Sequence, residues 1–177
     1  MDPGNDNLQR LRLANFDSDH ANQNWLVVND NVMGGQSQGG LSFDDEIMIF
    51  EGDINTNGGG FASLRLPLDA GTLTPFDSVE LRARSDQRSY MVTFDDGPSS
   101  RKRQVSHRSP MRFDSPGEWQ VVSVPFDDLS PAVFGRPIDN MPFRKDLANR
   151  MGLMISDGID GPFRLEIDWI DLRVLQG

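Results

Sequence analysis

Short runs of alternating apolar and polar residues dominate this chain, punctuated by Gly, Pro, Asp and Asn. Successive side chains on a strand point to opposite faces, so a period of two predicts half-buried strands. Residues 61–66 place Ala62, Leu64 and Leu66 on one face and Phe61, Ser63 and Arg65 on the other. Residues 79–84 set Val79, Leu81 and Ala83 against Glu80, Arg82 and Arg84, and residues 90–95 set Tyr90, Val92 and Phe94 against Met91, Thr93 and Asp95. Shorter runs at 25–29, 47–50, 119–126 and 151–156 read the same way. Residues 105–113 are more polar and interrupted by Pro110, which predicts an edge strand or an irregular one.

The final run, 163–174, is the longest. Phe163, Leu165, Ile167 and Trp169 share one parity, whereas Ile170, Leu172 and Val174 share the other. A switch of parity near Trp169 predicts a β-bulge, in which one extra residue turns the faces over. Helical character is confined to 143–150, and 8–16 reads as a short strand or a turn of helix. About eight strands with frequent turns predict an all-β fold, a jelly-roll β-sandwich of two antiparallel sheets with little helix. Residues 1–15 are expected to be a polar arm and 16–177 one domain, because no repeat or linker divides them.

Composition narrows the function. With 17 basic and 27 acidic residues the net charge is -10, which repels phosphate backbones and disfavours nucleic acid as a partner. Cysteine is absent, which removes thiol nucleophiles, thiolate zinc sites and disulfides and fits a reducing compartment. No apolar run approaches the roughly 20 residues of a membrane helix, and the first residues carry no secretory signal pattern. The expectation is a cytoplasmic protein that does not insert into membranes.

Catalytic groups are hard to assemble from what remains. The histidines are His20 and His107, and no nucleophile elbow accompanies either. Acidic pairs abound, and Glu166 and Asp168 share a strand face, but a solvated face explains them as well as a glycosidase pair does. No metal-binding motif or cofactor signature is present, so neither is expected. Arg101, Lys102, Arg103, Arg108 and Arg112 cluster in a segment that could touch nucleic acid or simply guard a strand edge. Trp119 and Trp169 are expected in the core, which leaves few aromatics for sugar stacking.

Two glycine-rich segments, NDNVMGGQSQGG over 29–40 and NTNGGGFASLR over 55–65, hold seven of the 17 glycines. Neither has the spacing of a phosphate-binding loop, and no helix is expected after either. They read as turns framing one face of the sandwich. The candidate binding surface comprises Asn29, Asp30, Met33, Gly34, Gly35, Ser37, Gly59, Gly60, Phe61, Ser63 and Arg65. Arg82 joins it if its strand neighbours that of Arg65. Asp30, Ser63 and Arg65 then either converge on an open pocket or bond to one another as a strut.

The same segments carry a resemblance. Asn29, Asp30, Val32, Met33, Gly34, Gly35 and Ser37, followed by Phe50, Gly52, Gly59, Gly60, Phe61, Ala62, Ser63 and Arg65, resemble the pattern of the complex I intermediate-associated protein family, the thirty-kilodalton class. The closing FRLEIDWIDL fits as well, and the resemblance runs over nearly the whole chain. It implies a galactose-binding-like jelly roll with no enzymatic activity. It also implies a binding module that assists assembly of respiratory complex I through protein–protein contacts. The alternatives it leaves are a carbohydrate-binding module and an RNA-associated biogenesis factor. One departure is Ser85-Asp86-Gln87-Arg88-Ser89-Tyr90, where family members often have a glycine-bearing turn.

Overall fold

The computed structural model describes residues 9–17, 24–97 and 105–175. Among these residues thirteen strands follow one another: β1 (Arg10–Asn15), β2 (Leu26–Asn29), β3 (Gln38–Asp44), β4 (Ile47–Ile54), β5 (Ala62–Pro67), β6 (Ser78–Ser85), β7 (Tyr90–Asp95), β8 (Val105–Pro110), β9 (Gln120–Pro125), β10 (Ser130–Val133), β11 (Arg136–Pro137), β12 (Arg150–Ile155) and β13 (Gly161–Arg173). They form two antiparallel sheets packed face to face, the jelly-roll sandwich that the alternation predicts. One sheet has the order β3-β4-β13-β6-β9, with β1 added beside β13; the other has the order β11-β10-β8-β7-β12-β5-β2.

The bulge falls where parity switches. The register of β13 against β6 slips between Ile167 and Trp169, so Leu165 and Ile167 before it and Ile170 and Leu172 after it all enter the core. β13 is long enough to hold two strands end to end along one edge. β4 lies along Gly161 to Ile167, and β1 along Trp169 to Arg173. Within the segment expected as an arm, the short strand read over 8–16 is present: Arg10 to Asn15 join the sheet, and the Val174 amide donates to the Gln9 carbonyl at 2.8 Å, while residues 1–8 lie outside the described residues.

Three further elements differ from expectation. β8 is an interior strand between β7 and β10, because Pro110 stands at its last position and removes no rung from its middle. The alternation does not reveal the hairpins β3–β4 and β10–β11: β3 starts in a glycine segment, and the stretch 130–137 is too short and too rich in proline and glycine to show a period. Their two-residue turns, Asp45-Glu46 and Phe134-Gly135, take left-handed φ angles. The stretch 143–150 contributes only a 3-10 turn, Lys145–Leu147, before entering β12.

The inward parities meet in one core. Phe50, Tyr90 and Phe163 pack edge to face at one end, with Phe50 and Phe163 centroids 5.0 Å apart. Phe94, Phe126 and Phe143 form a second cluster with centroids 5.5 to 5.8 Å apart. Among the described residues no helix is long and apolar enough to cross a membrane.

Candidate functional site

The two glycine segments meet around one buried carboxylate. Asn29 closes β2, and a 3-10 turn over Asp30–Met33 ends at Gly34, whose φ of 85° reverses the chain. That reversal lays Gly35 and Ser37 over the Asp30 side chain. Asp30 Oδ1 accepts the Ser37 amide at 3.0 Å, and Oδ2 accepts the amides of Gly60 at 2.6 Å and Phe61 at 3.3 Å. The Asp30 amide in turn donates to the Phe61 carbonyl at 3.1 Å. A Cβ on Gly35 would overlap the Asp30 carboxyl carbon, and one on Gly59 would lie 2.5 Å from Oδ2. The glycines are thus the walls of a cage whose donors are backbone amides. Asp30 is fully buried with no cation paired to it among the described residues, and burial pulls its pKa upward. Hydrogen bonds from Ser37, Gly60 and Phe61 outweigh that pull and hold the carboxyl below its ordinary range.

The surrounding motif residues stitch the same seam. Ser37 Oγ donates to the Asn55 carbonyl at 3.2 Å and accepts the Asn55 amide at 2.9 Å. Asn29 Nδ2 donates to the Gly39 carbonyl at 3.1 Å, and Ser63 Oγ donates to the Val28 carbonyl at 2.7 Å. Asp30 makes no pair with Arg65. Of the candidate surface, Asp30, Ser37 and Ser63 are buried and Phe61 is half-buried, while Met33 and its neighbour Val32 are exposed.

The outer faces of the two sheets differ in kind. On the six-stranded sheet, Arg82 pairs with Asp168 at 2.7 Å and Arg84 with Glu166 at 2.5 Å. Arg164 bridges Glu166 at 3.0 Å and Glu51 at 2.7 Å, and Arg10 and Arg12 converge on buried Asp171. The arginines also lie over indoles: Arg82 and Arg84 are 4.9 and 5.0 Å from the Trp119 ring, and Arg12 is 4.8 Å from that of Trp169. Both tryptophans, expected in the core, are half-buried here under their cations. The Arg84 guanidinium holds the Glu166 carboxyl below its ordinary value, so Glu166 and Asp168 serve as ion-pair partners on this face.

On the seven-stranded sheet the register brings other residues into rows. Leu26, Arg65, Gly152, Thr93, Arg108 and Ser130 form one row across the strands. Val28, Ser63, Met154, Met91 and Pro110 form the next. Arg150 pairs with Asp95, which is largely buried. Arg65 has no hydrogen-bond or ion-pair partner among the described residues; burial, then the neighbouring Arg150, lower its pKa. At the β8 end a groove of about 440 Å³ is lined by Met91, Arg108, Pro110, Asp128, Ser130 and Ser156. Phe134, 77% exposed, stands at the hairpin tip beside it. Arg82 therefore belongs to the opposite side of the molecule from Arg65, because β5 and β6 are in different sheets.

A family model described as complex I intermediate-associated protein 30 matches residues 14–167. The chain belongs to this family. The mouse mitochondrial protein of that name is 28% identical over 166 residues, covering 82% of this chain and 51% of the mouse protein. A probable mitochondrial counterpart from Caenorhabditis elegans is 33% identical over 105 residues, covering 54% of this chain and 28% of its own length. The chain thus spans about half the length of the mouse relative and less of the nematode one. Among solved structures, the family 11 carbohydrate-binding module of the Clostridium thermocellum cellulase Lic26A-Cel5E superposes with a TM-score of 0.70 over 94% of this chain and 95% of the module. At 13% identity that likeness concerns the fold.

In this member of the complex I intermediate-associated family, most of the motif is architecture. Side-chain hydrogen bonds hold the turn that departs from the family pattern. Asp86 accepts the Arg88 amide and the Tyr90 hydroxyl, each at 2.9 Å, and no residue from 85 to 90 needs a left-handed φ. Arg88 then reaches Asp157 with two bonds, at 2.7 and 2.8 Å, and the Gly161 and Pro162 carbonyls. Nothing in the alternation marks Arg88 as a strut; its signal is only an arginine in a turn. His20, Arg101, Lys102 and Arg103 lie outside the described residues. Arg108 donates to the Gly135 carbonyl at 2.7 Å, and Arg112 is exposed beyond the end of β8. Among the described residues no group of three or more His, Asp or Glu is placed to hold a metal ion.

Proposed function

We propose that this protein is a non-catalytic binding module that holds a protein partner against the outer face of its seven-stranded sheet while a larger complex is assembled. The observation that carries this is the asymmetry of the two faces. One is closed by arginine–carboxylate pairs laid over indoles. The other presents Leu26, Val28, Met91 and Met154 around an arginine without a partner among the described residues. Methionines adapt to irregular partner surfaces. The curated relatives are named for intermediates of complex I, which makes a subunit or intermediate of that complex the natural partner. Absence of catalysis is supported by the acidic pairs, since Asp95, Asp157, Glu166 and Asp168 each face an arginine. The lack of cysteine fits work in the cytoplasm.

The test is complementation. A host lacking the gene is expected to accumulate complex I intermediates on native gels. The wild-type chain and an Arg84→Gln variant restore assembly, whereas Met154→Glu does not. Normal assembly in the deleted host would overturn the reading. A second reading, carbohydrate binding, is favoured by the groove of mixed polar and apolar lining with Phe134 beside it. Calorimetry with β-glucan oligosaccharides separates the two, since only the second expects heat that vanishes in Phe134→Ala.

A further inference from the structure

Arg65 is a half-buried cation with no hydrogen-bond or ion-pair partner among the described residues. A guanidinium offers five N–H donors in a planar fork. Those of Arg65 meet no acceptor among the described residues, although the side chain is half-buried in the sheet face. Its charged neighbours cannot serve it. Arg150 repels it, and Asp95, the nearest carboxylate, is already engaged by Arg150. Beside it the sheet face is low: Gly152 is its cross-strand partner, and the Thr93 hydroxyl fills the place a Cβ would take there. A desolvated cation next to a second cation, in a protein of net charge -10, is a receptor in want of an anion.

The same row holds a second arginine. Arg108 makes no ion pair among the described residues, its guanidinium bonding only the Gly135 carbonyl, and Asp128 lines the groove beside it without forming a salt bridge to it. Arg65 and Arg108 are three strands apart, β5 to β12 to β7 to β8. At about 4.8 Å per strand that is roughly 14 Å, and four residues of extended chain at about 3.4 Å each span the same distance. Positions i, i+2 and i+4 of an extended segment face one way. A chain laid across the strands would therefore set carboxylates on Arg65 and Arg108 and one apolar side chain between them, over Gly152 and Thr93.

We infer that Arg65 and Arg108 receive two carboxylate side chains, spaced i and i+4, from an extended acidic segment of the protein partner. This rests on the protein-contact reading above. The experiment is a display selection of random dodecapeptides on the immobilised chain, with the winners mapped by backbone-amide NMR. Expected are peptides enriched in acid-x-apolar-x-acid that shift the amides of β5, β12 and β7. Their binding weakens at least tenfold in Arg65→Gln, less in Arg65→Lys, and not in Arg84→Gln on the opposite face, with thermal midpoints confirming that each variant folds. Winners without acidic enrichment, or winners indifferent to Arg65→Gln, overturn the inference while leaving the protein-contact reading in place. If no peptide is selected, the inference fails. If, in addition, an oligogalacturonate shifts the same amides through Arg65, the carboxylates belong to a sugar and both readings fail together.

Discussion

Replacing Asp30 by alanine tests whether the family's glycine motif is a cage or a ligand site. The carboxylate is fully buried and accepts the amides of Ser37, Gly60 and Phe61. Its removal leaves three donors without their acceptor, each costing roughly 1–3 kcal/mol when buried. Gly60 and Phe61 are half-buried, so water recovers part of this, and release of a buried charge recovers more. A net loss of about 4 kcal/mol follows, a large share of the roughly 5–15 kcal/mol that holds a domain folded. With a urea slope of about 2 kcal/mol/M, the midpoint falls by about 2 M. Gly35→Ala tests the same cage from its wall. Alone it forces a methyl into the carboxylate, at about 1–3 kcal/mol; in the Asp30→Ala background the overlap is gone. The double-mutant cycle is therefore expected to show coupling of at least about 1 kcal/mol. The folded-state pKa of Asp30 is depressed, so its contribution is present above the unfolded value of about 3.9 and lost as pH falls through the folded one. A midpoint shift in Asp30→Ala under about 0.5 M, or strictly additive losses with Gly35→Ala, would refute the cage.

Three other changes have defined outcomes. Arg88→Lys keeps the charge but cannot rebuild the two-bond contact with Asp157 and also reach the carbonyls of Ile159, Gly161 and Pro162; a loss of about 1.5–3 kcal/mol in chemical unfolding is expected, and wild-type stability would contradict it. His107 is buried against Phe143 with Nε2 3.4 Å from Asp96, and burial lowers its pKa despite the acid nearby. The unfolded chain then binds the proton more readily, so stability falls as pH drops below about 6.5, and His107→Gln flattens the profile. Phe134 takes a φ of 48° in a two-residue hairpin turn that suits Asn before Gly, so Phe134→Asn should gain about 1 kcal/mol and 2–4 °C in Tm by calorimetry.

The alternation along the chain revealed faces but not neighbours. Val79, Leu81 and Ala83 were legible as core, and the parity switch at Trp169 gave the bulge, because both are local consequences of a two-residue period. Sheet membership is not local, which is why Arg65 and Arg82 looked like companions and stand on opposite sides. Trp119 and Trp169 illustrate a second limit. Hydrophobic side chains suggest burial, yet these indoles are covered by arginines from neighbouring strands, a pairing fixed by register. Asp30 shows a third. Glycines beside an aspartate read equally well as an open loop or as walls pressed against a carboxylate, and only the amides of a segment 30 residues further along decide between them. The β10–β11 hairpin escaped notice because β11 has two residues, too few to display any period.

The seam between β1 and β13 has a mechanical consequence. Gln9 and Val174 are hydrogen-bonded neighbours, and the ladder runs inward from there through Arg10 and Arg173 to Asn15 and Trp169. A tether on each flank of the domain would pull from this one point. The load then falls on a single rung at a time, peeling β1 away before the β4–β13 and β6–β13 ladders bear tension. Stretched between two anchors, this jelly roll should yield first as a zipper at low force, with the Asp30 cage still closed.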